Sequence, residues 1–198
     1  SSWKARDSMV PIRDIVEFIG GTPQSRIVET AGDDVPTYCF YAQPEIKEDL
    51  AGLESKVASK QIRTFDTVTT VATGDVVFSL VSGKAAIVRA AHGGYLLTQN
   101  YVMLVPLSGL DARYLVYALN ENRELRRQLQ SGKQGSATLK YTIRQLSALM
   151  FPDLPSREKQ GAIGELYLNQ LRLDALRKRA SELETTLVME KIRKADRS

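Results

Sequence analysis

Apolar residues in the first hundred positions come in short runs, each closed by glycine or proline. Val76-Val77-Phe78-Ser79-Leu80-Val81 follows Gly74-Asp75, and Ala85-Ala86-Ile87-Val88-Arg89 follows Ser82-Gly83-Lys84. Tyr95-Leu96-Leu97 follows Gly93-Gly94, and Tyr101-Val102-Met103-Leu104-Val105 stops at Pro106. Runs spaced by roughly ten residues and bounded by turn formers predict a compact β-rich sheet or barrel. Shorter strands are expected at 26–29 and 38–41, on either side of Gly32-Asp33-Asp34, and at the β-branched stretch 67–71. Residues 9–19 alternate too poorly for a clean strand and end at the strong turn Gly20-Gly21-Thr22-Pro23.

The pattern then changes period. Asp111 caps an amphipathic helix carrying Leu115, Val116, Ala118 and Leu119, which is expected to run to about Leu129 and break at Ser131-Gly132-Lys133-Gln134-Gly135-Ser136. A strand-like segment at 138–143 and a short helix at 144–150 follow. Phe151-Pro152-Asp153-Leu154-Pro155 cannot be helical, because each proline restricts itself and the residue before it. This predicts a domain boundary, with a globular unit over 1–152 and a helix over 153–198.

From the N-cap Ser156 to about Lys194 there is no proline, and no glycine after Gly164. Leu166, Leu173, Ala180 and Leu187 recur every seven residues, with Leu176 and Leu183 three after Leu173 and Ala180, an a/d heptad seam. Such a helix is too long to bury against one small domain, so it is expected to seek a partner helix; folding back onto its own domain is the alternative. The expected fold class is α+β: a β-rich globular domain with short helices, then a long C-terminal helix forming an antiparallel coiled coil in a dimer.

Composition narrows the function. The 198 residues are 43% hydrophobic and 25% charged, ordinary for a globular protein. One cysteine, Cys39, excludes a disulfide framework or zinc knuckle, and one histidine, His92, makes His-based catalysis a thin prospect. No apolar run reaches the roughly 18–20 residues of a membrane span, so a cytoplasmic location is expected. The first residue is Ser1, not Met, which suggests a trimmed product. Net charge is +4, unevenly spread: −3 over 1–112, +5 over 113–144 and +2 over 145–198. Local basic excess is what phosphate neutralisation needs, although a solvated helix face has the same composition.

No enzyme emerges from the candidate chemistry. Ser82-Gly83-Lys84 lacks the upstream glycine of a phosphate loop and precedes a strand. Gly20-Gly21 lacks the third glycine of a dinucleotide fingerprint. Asp33-Asp34 and Glu48-Asp49 read as adjacent surface carboxylates, Cys39 as a core residue, and His92 as a turn residue. No metal ligands and no cofactor are expected. The basic stretch offers more: Arg123, Arg126 and Arg127 on a helix, then Lys133, Gln134 and Ser136 in a flexible loop, then Lys140 and Tyr141. Arginines and lysines grip phosphates, while Gln, Ser and Lys on a mobile backbone suit base edges.

The order of these pieces resembles the DNA-specificity (S) subunits of type I restriction–modification systems. Gly74-Asp75-Val76-Val77-Phe78-Ser79 is similar to the family's "kGDvlis", 82–88 to "iGkvaiv", and Gln99-Asn100 to "nq". The turn at 20–23 and the segment 151–160, similar to "iplPpleeQ" and leading into the long helix, complete the resemblance. It implies a target-recognition domain followed by a spacer helix, once where the family has two such pairs, hence a half-subunit that pairs with a second copy through Leu166, Leu173, Leu176, Ala180, Leu183 and Leu187. It further implies double-stranded DNA as ligand, a bipartite site, and separate modification and restriction subunits that carry S-adenosylmethionine, ATP and the chemistry. Two other readings stay open: a coiled-coil protein–protein adaptor that reads no DNA, and an enzyme using Cys39 or Lys84.

Overall fold

The computed structural model describes residues 9–55, 57–131 and 141–197. It is a mixed α/β fold, a β-rich domain from which one long C-terminal helix projects. In chain order the strands are β1 (Val10–Pro11), β2 (Val16–Gly20), β3 (Thr37–Cys39), β4 (Gln61–Arg63), β5 (Val76–Ser79), β6 (Ala85–Ile87), β7 (Tyr101–Pro106) and β8 (Met150–Phe151). The α-helices are α1 (Gln43–Ala51), α2 (Ala112–Glu121), α3 (Arg123–Ser131), α4 (Ile143–Ser147) and α5 (Arg157–Asp196).

The central sheet is antiparallel, in the order β2-β7-β5-β6. Its two middle strands are the apolar runs of the sequence, and successive side chains on a strand point to opposite faces. Val76, Phe78, Val102 and Leu104 enter one core with Leu115, Leu119, Leu125 and Leu129 of α2 and α3. Val77, Tyr101 and Met103 enter a second core with Tyr41 and Ile46, at and inside the start of α1. Burial on both faces explains why these strands lack polar alternation.

Several expected elements differ. Residues 9–19 hold β1, a 3-10 turn at Ile12–Asp14 and the edge strand β2. Residues 26–29 form no strand; a 3-10 turn spans Gln24–Arg26. Segments 67–71 and 95–97 contribute only single bridges, Thr70 and Phe40 each with Leu96. The reason is divided pairing: around Leu96 the backbone bonds alternately to Cys39 and Tyr41 on one side and to Thr69 and Val71 on the other. The single amphipathic helix expected to reach Leu129 is two helices. Asn122 leaves helical geometry (ψ 120°) and its Oδ1 accepts from the backbone N–H groups of Glu124 and Leu125, capping α3. The helix expected over 144–150 is α4, opened by a reciprocal Thr142–Gln145 capping box; Met150 and Phe151 instead pair with Pro11 and Val10.

Glu48 and Asp49, read as surface carboxylates, and His92, read as a turn residue, form a buried cluster. The Tyr41 hydroxyl donates to Asp49 Oδ2 at 2.7 Å, and His92 Nδ1 and Nε2 meet Asp49 Oδ1 and Glu48 Oε2 at 2.8 and 3.1 Å. Burial holds the Asp49 carboxyl above its ordinary range, against the opposing bonds from Tyr41 and His92. The cluster fastens α1 to the turn at 90–94.

Helix α5 is 40 residues long, about 60 Å at 1.5 Å per residue. Its first half, as far as Ala175, docks on the domain, with Arg172 against Gly52. Gln160, 1% exposed, accepts from Asp111 N and donates to the carbonyls of Gly109 and Pro155. Gly164 lies so close to α2 that a Cβ there would fall 2.6 Å from the Arg113 carbonyl carbon. Tyr167 bonds with Asn120 and Glu121. From 176 to 197 every residue is exposed. No helix among the described residues is long and apolar enough to cross a membrane.

Candidate nucleic-acid interface

The basic stretch is carried by α3 and the segment after it. Arg123, at the start of α3, is exposed. Arg127 is also exposed but is paired with Glu124 one turn back, through bonds of 2.7 and 3.0 Å. Arg126 is structural: half-buried, its Nη1 donates to the carbonyls of Gly83 (2.7 Å) and Leu119 (3.4 Å), tying α3 to the β5–β6 turn. Tyr141 is also structural. Only 3% exposed, it packs edge-on to Phe78 with centroids 6.1 Å apart, and its N–H donates to Leu80 O. Its ring lies over Gly83, where a Cβ would come within 2.4 Å of it at a φ of +70°. Thus Ser82-Gly83-Lys84 is a seat for Tyr141, and Lys84 lies 3.9 Å from Glu121. Lys133, Gln134, Ser136 and Lys140 lie outside the described residues. Sequence reasoning about loop chemistry did not separate the arginine and tyrosine that hold the domain together from those facing solvent.

A second surface went unremarked in the sequence. A cleft of about 430 Å³ opens between the start of α1, residues 57–60 and residues 98–101, with Gln24 on its rim. Phe40, Pro44, Val57, Ala58 and Tyr101 supply apolar walls; Gln43, Lys60 and Asn100 supply polar ones. Glu45, buried among them, is committed to its own structure, accepting from Ala42 N (2.9 Å) and Ser59 Oγ (2.5 Å).

Most seam residues stand away from the domain, although Leu183 lines a groove with Lys47, Leu53 and Ser55. At 3.6 residues per turn, Gln160, Gly164, Tyr167 and Leu171 share one side of α5, whereas Leu166, Leu173, Ala180 and Leu187 fall on the opposite side. Leu166, Leu173, Leu176, Leu183 and Leu187 are all exposed. This arrangement, a β-rich domain latched to the root of a long helix, has counterparts among solved structures. The HsdS subunit from Thermoanaerobacter tengcongensis superposes with a TM-score of 0.53 at 20% identity, over 87% of this chain and 39% of that one. This chain has the fold of a type I restriction–modification S subunit. The S subunit of M. genitalium matches the same S-subunit fold at a TM-score of 0.50 and 15% identity, over 93% of this chain and 42% of that one. A chain from a structure describing complex assembly and conformational transition of the type I R-M system gives 0.57 and 18%, over 93% and 43%. The chain therefore spans about two fifths of the solved S-subunit-fold chains it matches. No family model and no curated protein matches its sequence.

Proposed function

We propose that this chain is a DNA-specificity module of a type I restriction–modification system. Its β-rich domain, residues 1–152, reads one half of a bipartite duplex site, and the helix over 153–198 pairs antiparallel with that of a second copy. Modification and restriction subunits are its protein partners; methyl transfer and cleavage, with their cofactors, reside there, and this chain contributes binding alone. The exposed cations Arg123 and Arg127, with Lys133 and Lys140, grip phosphate, Gln134 and Ser136 approach bases, and Arg126 and Tyr141 hold the platform beneath them.

The observation carrying this reading is the pairing of the S-subunit fold with a leucine seam turned away from the domain. An apolar stripe left in water forgoes about 25 cal/mol per Å² of burial, and a second identical stripe is complementary to it in an isologous pair. The chain isolated from its host should bring modification subunits with it and bind duplex DNA in a salt-dependent way. Changing Arg123 and Arg127 to Ala should weaken binding to all sequences and flatten log affinity against log salt by about 0.9 per lost phosphate contact. An isolate that binds no duplex at any salt concentration defeats the reading.

A further inference from the structure

Residues 1–110 contain five carboxamide side chains, Gln24, Gln43, Gln61, Gln99 and Asn100. Three of them, Gln24, Gln43 and Asn100, line the 430 Å³ cleft, and Gln99 is bonded to the backbone of Gln24. A carboxamide presents a donor and an acceptor side by side, matching N7 and the N6 amine of adenine in the major groove. We propose that this cleft face is where the domain reads an adenine in duplex DNA. Gln24 and Asn100 are the reading side chains, and Lys60 with Arg26 holds flanking phosphates. This rests on the DNA-specificity reading and goes beyond it by adding a second base-reading surface, at the Ser79 end of β5.

Three features support the assignment. First, the reading turn is preorganised. Gln99 Oε1 accepts from Gln24 N (3.0 Å), and Thr22 N donates to Leu97 O. Gly21 is pressed so close to Thr98 O that a Cβ would lie 2.0 Å from it. Only glycine permits that approach, so the Gly20-Gly21-Thr22-Pro23 turn acts as a platform presenting Gln24, Ser25 and Arg26, all exposed. Secondly, Gln43 donates to Ser79 Oγ, which orients its amide and keeps that wall of the cleft fixed. Thirdly, the cleft is continuous with the end of the basic stretch: Tyr141 N donates to Leu80 O, and Leu80 N donates to Asn100 O.

The test uses the chain isolated with its bound subunits and a random-sequence duplex pool. Parent protein should select a consensus; Gln24→Ala or Asn100→Ala should relax one A·T position, with roughly tenfold to hundredfold loss of discrimination there. Replacing that adenine by 7-deazaadenine, which lacks N7, should cost the parent a similar factor and cost the responsible variant little. Lys60→Ala should weaken all sequences alike. A consensus unchanged in both variants, or an equal 7-deazaadenine penalty in parent and variants, overturns the assignment while leaving DNA specificity intact. If the parent selects no consensus at all, the DNA-specificity reading falls, and this assignment with it.

Discussion

Asp111 joins the domain to the long helix. Its carboxylate accepts from Arg113 N and Tyr114 N at the start of α2, its own N–H donates to Gln160, and it pairs with Arg113 Nη2 at 3.1 Å. Partial burial pushes its pKa up, but the side-chain and backbone N–H bonds from Arg113 and Tyr114 outweigh this and leave it below the usual carboxylate value. A carboxyl with a depressed folded-state pKa stabilises the fold above its unfolded value, near 3.9, and loses that contribution as pH falls towards the folded one. Asp111→Ala should therefore cost about 0.5–2 kcal/mol at neutral pH, the usual range for a lost N-cap. The gap in Tm between parent and variant should narrow below about pH 4. Calorimetry from pH 7 to pH 3 checks this; a gap that widens on acidification would show that the charge is not what stabilises the cap.

Among the elements, those with a single local cause were readable from sequence. The apolar runs at 76–81 and 101–105 became β5 and β7, and the proline-free heptads became α5. Elements that depend on distant partners were not. Residues 95–97 have the composition of a strand but divide their hydrogen bonds between two neighbours. Asn122 ends a helix that the apolar period alone would continue, because its side chain is better used as a cap. His92 and Asp49, 43 residues apart, meet only in the fold. The carboxamide cleft was equally hidden, since its residues come from four separate segments. On α5 the division of labour is testable: the docking side and the leucine seam are opposite, so they should fail independently. Leu176→Asp with Leu183→Asp should leave the Tm of the domain nearly unchanged while abolishing pairing. Each buried leucine contributes about 1.5–3 kcal/mol and four are lost per pair, so the dissociation constant should rise more than about a thousandfold. Light scattering that finds the same mass in parent and variant would remove the seam from the interface.

For the molecule as a whole, the domain is attached at one end of α5, and the described residues of the helix from 176 onward are exposed. In an antiparallel pair of such helices, the distance between the two domains is set by helix length, and a two-fold axis requires the half-sites to be inverted repeats. Seven residues inserted between Leu176 and Leu183, beyond the last half-buried position Ala175, keep the heptad register and leave the docked turns untouched. They separate the domains by about 10 Å more, which matches roughly three base pairs at 3.4 Å per step. Three base pairs are also about a third of a turn of a duplex with 10–10.5 base pairs per turn, so the half-sites rotate out of phase and affinity should drop even at the best new spacing. An insertion of 21 residues moves the domains by about 31 Å, close to a full turn, and should restore much of that affinity at a spacer longer by roughly nine base pairs. Selection from random duplex pools with parent and both variants reads spacing and half-site separately. Equal half-sites with spacers growing in this order identify α5 as the ruler of the site; a spacer indifferent to both insertions would mean that another surface fixes the distance.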